Sequence, residues 1–126
     1  MWNKEIGKIG EDIACMFLVK QGYTILDRNF LKKYGEIDIV AMKDNVHCFI
    51  EVKTVSCESI HMKIKNDRHR PEDNVHPYKA KRLRRVIQVY LIQKRVYNDW
   101  KFHVITVLYD NVRKESKVDL LEDLIL

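Results

Sequence analysis

At 126 residues the chain is long enough to bury a core without staples, and its 46 % hydrophobic and 33 % charged residues exclude both a disordered polymer and a bilayer-embedded protein. The formal net charge of +5 at pH 7 is modest, but it is segregated. Between positions 60 and 95, eleven Lys or Arg stand against three Asp or Glu, while the remainder is slightly acidic, a distribution that suits one face contacting a polyanion such as nucleic acid.

The N-terminal MWNKEIGKIGED carries charges and glycines where a signal peptide needs an apolar run, so a cytoplasmic protein with a single domain over 1–126 is expected. Cys15, Cys48 and Cys57 are odd in number and form no CxxC pair, which reads as free thiols in a reducing compartment. A first helix is expected from Asn3 as N-cap to about Gln21, stopped by Gly22. Ile6, Ile9, Ile13, Met16, Phe17 and Lys20 make one stripe along it. Gly7, Glu11, Ala14 and Leu18 make a second. Gly7 and Gly10 each cost a helix about 1 kcal/mol relative to Ala, a penalty that points to close approach between this helix and the sheet.

Tyr23 to Phe30 alternates as a first strand, and Lys32-Lys33-Tyr34-Gly35 turns the chain into GEIDIVAMKDNVHCFIEVKT. This stretch reads as two strands reversing between Asp44 and Asn45. In that register Ile37 faces Val52, Ile39 faces Ile50 and Ala41 faces Cys48, forming an apolar face. The same register sets Asp38 opposite Glu51 and Glu36 opposite Lys53. Two carboxylates about 5 Å apart repel unless a cation or proton lies between them. A hard divalent ion with oxygen ligands satisfies them: Mg²⁺, with Mn²⁺ as a substitute. Lys53, on the same face as Glu51, is suited to orient or deprotonate an attacking water or to stabilise transition-state charge. Such a constellation suits hydrolysis of a phosphodiester.

Val55 to His76 has no periodicity and reads as a long loop; the spacing of Cys57, His61, His69 and His76 fits no compact zinc pattern. Pro77 opens a second helix expected to end near Asn98, burying Ala80, Leu83, Val86, Ile87, Tyr90 and Leu91. Lys79, Lys81, Arg82, Arg84 and Arg85 crowd its first turns, where the helix dipole opposes cations. That placement makes sense if an anion docks there. Lys101 to Tyr109 follows as a buried strand in which His103 reads as a satisfied core residue, and Val118 to Leu126 reads as a short amphipathic helix or a docking element. The fold class is α/β, a mixed sheet of about four strands flanked by helices in the order α-β-β-β-α-β.

Asp38 followed by Glu51-Val52-Lys53 resembles the PD-(D/E)xK signature of restriction-endonuclease-like nucleases. GEIDIVA with FIEVKT is similar to the YraN-like family of predicted endonucleases, a group related to Holliday-junction resolvases. Gly7 to Ala14 resembles that family's GxxGExxA helix, Gly22-Tyr23 and Arg28-Asn29 its GY and RN positions, and Lys81 to Leu91 its basic helix. The likeness runs from about Gly7 to Leu108, and His103 departs from it by standing where the family carries Asp. The resemblance implies a Mg²⁺-dependent endonuclease acting on DNA, branched or damaged DNA in repair or recombination included. Asp38, Glu51 and Glu11 would hold the metal, Lys53 would be catalytic, and Lys79, Lys81, Arg82 and Arg85 would hold the nucleic acid. It also implies a substrate-side flap at 55–76 and is compatible with a homodimer. The competing expectation is a catalytically inactive nucleic-acid-binding or assembly module on the same fold.

Overall fold

Among the described residues, 4–57 and 77–126 of the computed structural model, two helices and five strands follow one another. They are α1 (Lys4–Lys20), β1 (Thr24–Lys32), β2 (Gly35–Lys43), β3 (Val46–Cys57), α2 (Pro77–Gln93), β4 (Trp100–Asp110) and β5 (Glu115–Leu121). The strands form one mixed sheet in sequential order, with β3 and β4 parallel and every other neighbour antiparallel. Asn3 and the stretch with His61, His69 and His76 lie outside the described residues. Val55 to Cys57, expected to begin a loop, instead continue β3, because β4 offers them partners as far as Asp110.

A helix covers each face of the sheet, which is why β3 and β4 are apolar on both sides. Ala14 and Leu18 of α1 pack with Ile39, Ala41, Cys48, Ile50, Ile105 and Val107. Leu83, Val86, Ile87 and Tyr90 of α2 pack with Ile37, Val40, Phe49, Phe102 and Val104. The buried line of α1 is Gly10, Ala14 and Leu18, flanked by half-buried Ile13 and Phe17; Met16, grouped by periodicity with Ile13 and Phe17, is 62 % exposed. A Cβ built on Gly10 would fall inside the Thr54 side chain, so the glycine is required by the approach of α1 to β3.

Helix α1 closes as expected at Gly22, whose φ of 95° lets its N–H reach Val19 C=O at 3.1 Å while Tyr23 N–H reaches Leu18 C=O at 3.0 Å. Helix α2 stops earlier than Asn98. Arg95 adopts φ 54° and Val96 N–H bonds Leu91 C=O at 2.9 Å, the same closure without glycine. The β2–β3 turn has Asp44 at φ 52° and Asn45 at φ 64°, the paired left-handed conformation that matches strand twist, and it gives the expected Ile39–Ile50 and Ala41–Cys48 register.

Two further expectations are corrected. The C-terminal segment is strand rather than helix: β5 pairs along β4 from Asp110–Glu115 to Val104–Leu121, making five strands instead of about four. The hairpin ladder ends at Ile39–Ile50, so the expected pairings of Ile37 with Val52, Asp38 with Glu51 and Glu36 with Lys53 are not part of it, and Ile37 packs with the α2 cluster instead. His103 is, as expected, a satisfied core residue: it is buried, and its Nδ1 accepts the Asp123 N–H at 3.1 Å. No helix among the described residues is long and apolar enough to cross a membrane.

Candidate functional site

The end of the β2–β3 ladder makes the site. Beyond Ile39 the two strands part, and Asp38 Oδ2 accepts the Val52 N–H at 2.8 Å, so a carboxylate takes the place of the missing ladder carbonyl. Opposite Asp38, Asn29 of β1 has φ 53°, and the register of that pair also shifts near Asp27. These irregularities let β2 turn its acidic residues into the gap.

Oxygen atoms of Glu11, Glu36 and Asp38 lie within 4.8 Å of one another. Helix α1 supplies Glu11, brought close to the sheet by Gly10, and β2 supplies the other two. Glu51 stands on the α2 side of the same gap. Its Oε1 pairs with Lys79 Nζ, while its Oε2 is buried with no hydrogen-bond partner among the described residues. A buried, unsatisfied carboxylate oxygen is costly and marks a place where a cation or donor belongs.

Electrostatics agree with that geometry. Burial pushes the Asp38 carboxyl up to about 7; the Val52 N–H works against the rise, and the charges of Glu11, Glu51 and Glu36 add to it. Glu11 is raised as well, first by burial, although Asn29 and Arg28 pull it back. Arg28 reaches Glu11 at 3.7 Å and Asp12 at 2.9 Å, so part of its charge is spent outside the cluster. Negative charge is therefore undercompensated around Asp38.

Two clefts meet at this cluster. One, of about 420 Å³, is lined by Gly35, Glu36, Asp38, Glu51, Lys79, Arg82 and Leu83. The other, of about 710 Å³ on the α1 side, is lined by Lys4, Gly7, Lys8, Glu11, Arg28, Asn29 and Glu36. Glu36 borders both. Acidic groups at the floor and cations on the α2 wall are a suitable surface for a phosphate bridged to the protein through a divalent ion.

Of the residues singled out in the sequence, Asp38, Glu51 and Glu11 converge on one gap, though Glu11 and Asp38 form their tight group with Glu36. Lys53 follows Glu51 by two residues on β3, half-buried and without an ion pair among the described residues. Lys79 turns into the site. Arg82 and Arg85 engage Tyr34, the first through the backbone carbonyl at 2.8 Å and the second over the ring at 4.6 Å; Lys81 is exposed. The first turn of α2 holds no acidic residue. Sequence reasoning missed the membership of Glu36 and the pairing of Lys79 with Glu51. The alternation of Glu36 with Asp38 signalled the former; nothing local signalled the latter.

An α/β domain with helix and strand order compatible with a restriction-endonuclease-like core, carrying an acidic cleft where its central hairpin splits, is the class these features define. The model of the Uncharacterised protein family UPF0102 matches residues 10–107, and the chain belongs to that family. It is 36 % identical to a UPF0102 protein of Clostridium perfringens, over 97 % of this chain and 94 % of that one. A UPF0102 protein of Helicobacter hepaticus is 34 % identical over 100 % of this chain and 99 % of its own length, and one of Flavobacterium psychrophilum is 37 % identical over 96 % and 93 %. The resemblance to the YraN-like family is thereby borne out.

Proposed function

We propose that this chain is a Mg²⁺-dependent endonuclease that hydrolyses phosphodiester bonds of DNA. The observation that carries the reading is the convergence of Glu11, Glu36, Asp38 and the unsatisfied Glu51 Oε2 at one gap that opens onto cations of α2. The donor set is all oxygen and too negative for its burial, which fits a hard divalent ion held by Asp38, Glu51 and Glu11 with Glu36 beside them. Bound there, Mg²⁺ or Mn²⁺ would supply Lewis acidity toward a phosphoryl oxygen.

The chain's own residues do the rest. Val52 N–H holds Asp38 in place, Arg28 and Asn29 hold Glu11, and the α2 cations Lys79 and Arg82 would draw the phosphate into the cleft, with Lys81 and Arg85 on α2 outside its lining. Lys53 presents an ammonium from the Glu51 side of β3, suited to orient the attacking water and to offset charge that builds on the phosphoryl group. A cleft of about 420 Å³ accommodates a phosphodiester and its adjoining sugar.

One observation favours the inactive binding or assembly module: Glu51 Oε1 already has Lys79 as its counterion. The test is incubation with branched, nicked, single-stranded and duplex DNA, each with Mg²⁺, with Mn²⁺ and with chelator. Metal-dependent products that vanish in Asp38→Asn are expected. Wild type that binds these DNAs and cuts none of them leaves the module as the correct reading.

A further inference from the structure

The turn joining β1 to β2 is fastened to α2 at two points. Arg82 Nε donates to Tyr34 C=O at 2.8 Å, and the Arg85 guanidinium lies 4.6 Å from the centre of the Tyr34 ring. Backbone and side chain are thus both held, yet Tyr34 remains 37 % exposed. The residue is partly open to solvent while its ring is held by the Arg85 guanidinium. Its surroundings are cationic. The Lys33 ammonium lies 6.0 Å from the ring centre, and Lys81 and Arg84 are exposed on α2.

The position of the ring matters as much as its fixation. Gly35 and Glu36, the next residues of the chain, line the smaller acidic cleft, and Arg82 both lines that cleft and holds the Tyr34 carbonyl. The Tyr34 backbone therefore borders the cleft, one residue from its lining, and its ring lies against Arg85, one helical turn along α2 from Arg82. A ligand that uses a π surface and several cations at once, with its anionic group reaching a neighbouring cleft, is a nucleotide: the base offers its face and the backbone its phosphates. A ring already immobilised loses little entropy when a base stacks on it.

We infer that Tyr34 is a stacking platform for an unpaired nucleobase of the strand whose phosphate enters the acidic cleft. The preferred substrate class is then single-stranded nucleic acid, or a duplex with an unstacked nucleotide at the site. In an intact duplex every base face is occupied by its neighbours, so stacking on Tyr34 first requires extrusion. This inference rests on the nucleic-acid reading above and not on cleavage.

The test is binding of the full chain, with Ca²⁺ in place of Mg²⁺, to three oligonucleotides containing 2-aminopurine: single-stranded, duplex with the probe unpaired, and fully paired duplex. Wild type and Tyr34→Phe should quench the unpaired probe several-fold at saturation. In Tyr34→Leu the quenching should disappear and single-strand affinity should fall about tenfold, the scale of one lost base–aromatic stack, while paired-duplex affinity changes less than about twofold. A matching thermal melt for Tyr34→Phe and wild type ensures that the ring is compared on an intact fold. Equal affinity losses on all three DNAs would show the ring to be a brace for the turn and overturn the inference, as would binding without quenching, or no binding at all. Wild type that quenches the probe yet cuts nothing with Mg²⁺ supports the platform and overturns the nuclease reading. Wild type that cuts without quenching does the reverse.

Discussion

Replacing Asp38 by Asn should stabilise the metal-free protein above neutral pH and leave it little changed only in acid below the ordinary carboxylate value. The carboxyl titrates at about 7 in the folded chain against an ordinary value of 3.8, so between these values the native state holds more protons than the unfolded state. Stability contributed by this group is therefore fully present only below 3.8 and is lost progressively as pH rises from there through the folded value. A difference of about three units sets a ceiling of about 4 kcal/mol at 1.36 kcal/mol per unit. Two open clefts lie beside the group, so solvent screening reduces the expected cost to about 1–2 kcal/mol. Asn keeps an oxygen to accept the Val52 N–H that Asp38 accepts at 2.8 Å, so the substitution removes charge and spares the hydrogen bond. Urea unfolding in chelator should place Asp38→Asn about 1–2 kcal/mol above wild type at pH 8 and within about 0.5 kcal/mol of it at about pH 3, below the unfolded value. Saturating Mn²⁺ should reverse the order at pH 8. An Asn variant no more stable than wild type at pH 8, or one equally stabilised at both pH values, would refute the claim that uncompensated charge is stored at this gap.

Mn²⁺ at one hundred times its Kd should stabilise wild type by about 2.7 kcal/mol, seen as a rise in Tm that Asp38→Asn lacks. Gly10→Ala should cost about 1–3 kcal/mol in chemical denaturation, because its methyl group meets Thr54 on β3; pairing it with Thr54→Ala should recover part of the loss. Lys53→Ala should keep the fold and Mn²⁺ binding yet slow cleavage by a factor on the order of 10² or more, and Lys53→Arg should not restore the rate, since a guanidinium neither gives up its proton nor matches a compact point charge. Lys81→Ala should weaken binding to all DNA alike and lower the log–log salt slope by about 0.9 on duplex if it contacts one phosphate, measured by fluorescence anisotropy across a salt series.

Features governed by neighbours in the chain were legible in the amino-acid order. Asp44 and Asn45 accept left-handed backbone, and the alternating apolar residues on either side admit one register, so the Ile39–Ile50 pairing could be written down without coordinates. Gly22 announced the end of α1, the 3.6-residue pattern of α2 selected its buried face, and Gly10 signalled the close contact now seen with Thr54. Asp38, Glu51 and Lys53 were visible as a spaced set because their spacing is that of two strands and a turn. Tertiary structure decided the rest. Where the hairpin splits depends on Asp38 outcompeting a backbone carbonyl for Val52 N–H, and on a left-handed Asn29 one strand away; that split brings Glu36 beside Glu11 and changes the membership of the acidic group. Lys79 meets Glu51, and Arg85 meets Tyr34, across long stretches of chain that have no periodicity in common. The last segment shows the limit most plainly: Val118-Asp119-Leu120-Leu121 suits the surface of a helix or of a strand, and the choice went to strand because β4 had an open edge whose N–H and C=O groups needed partners.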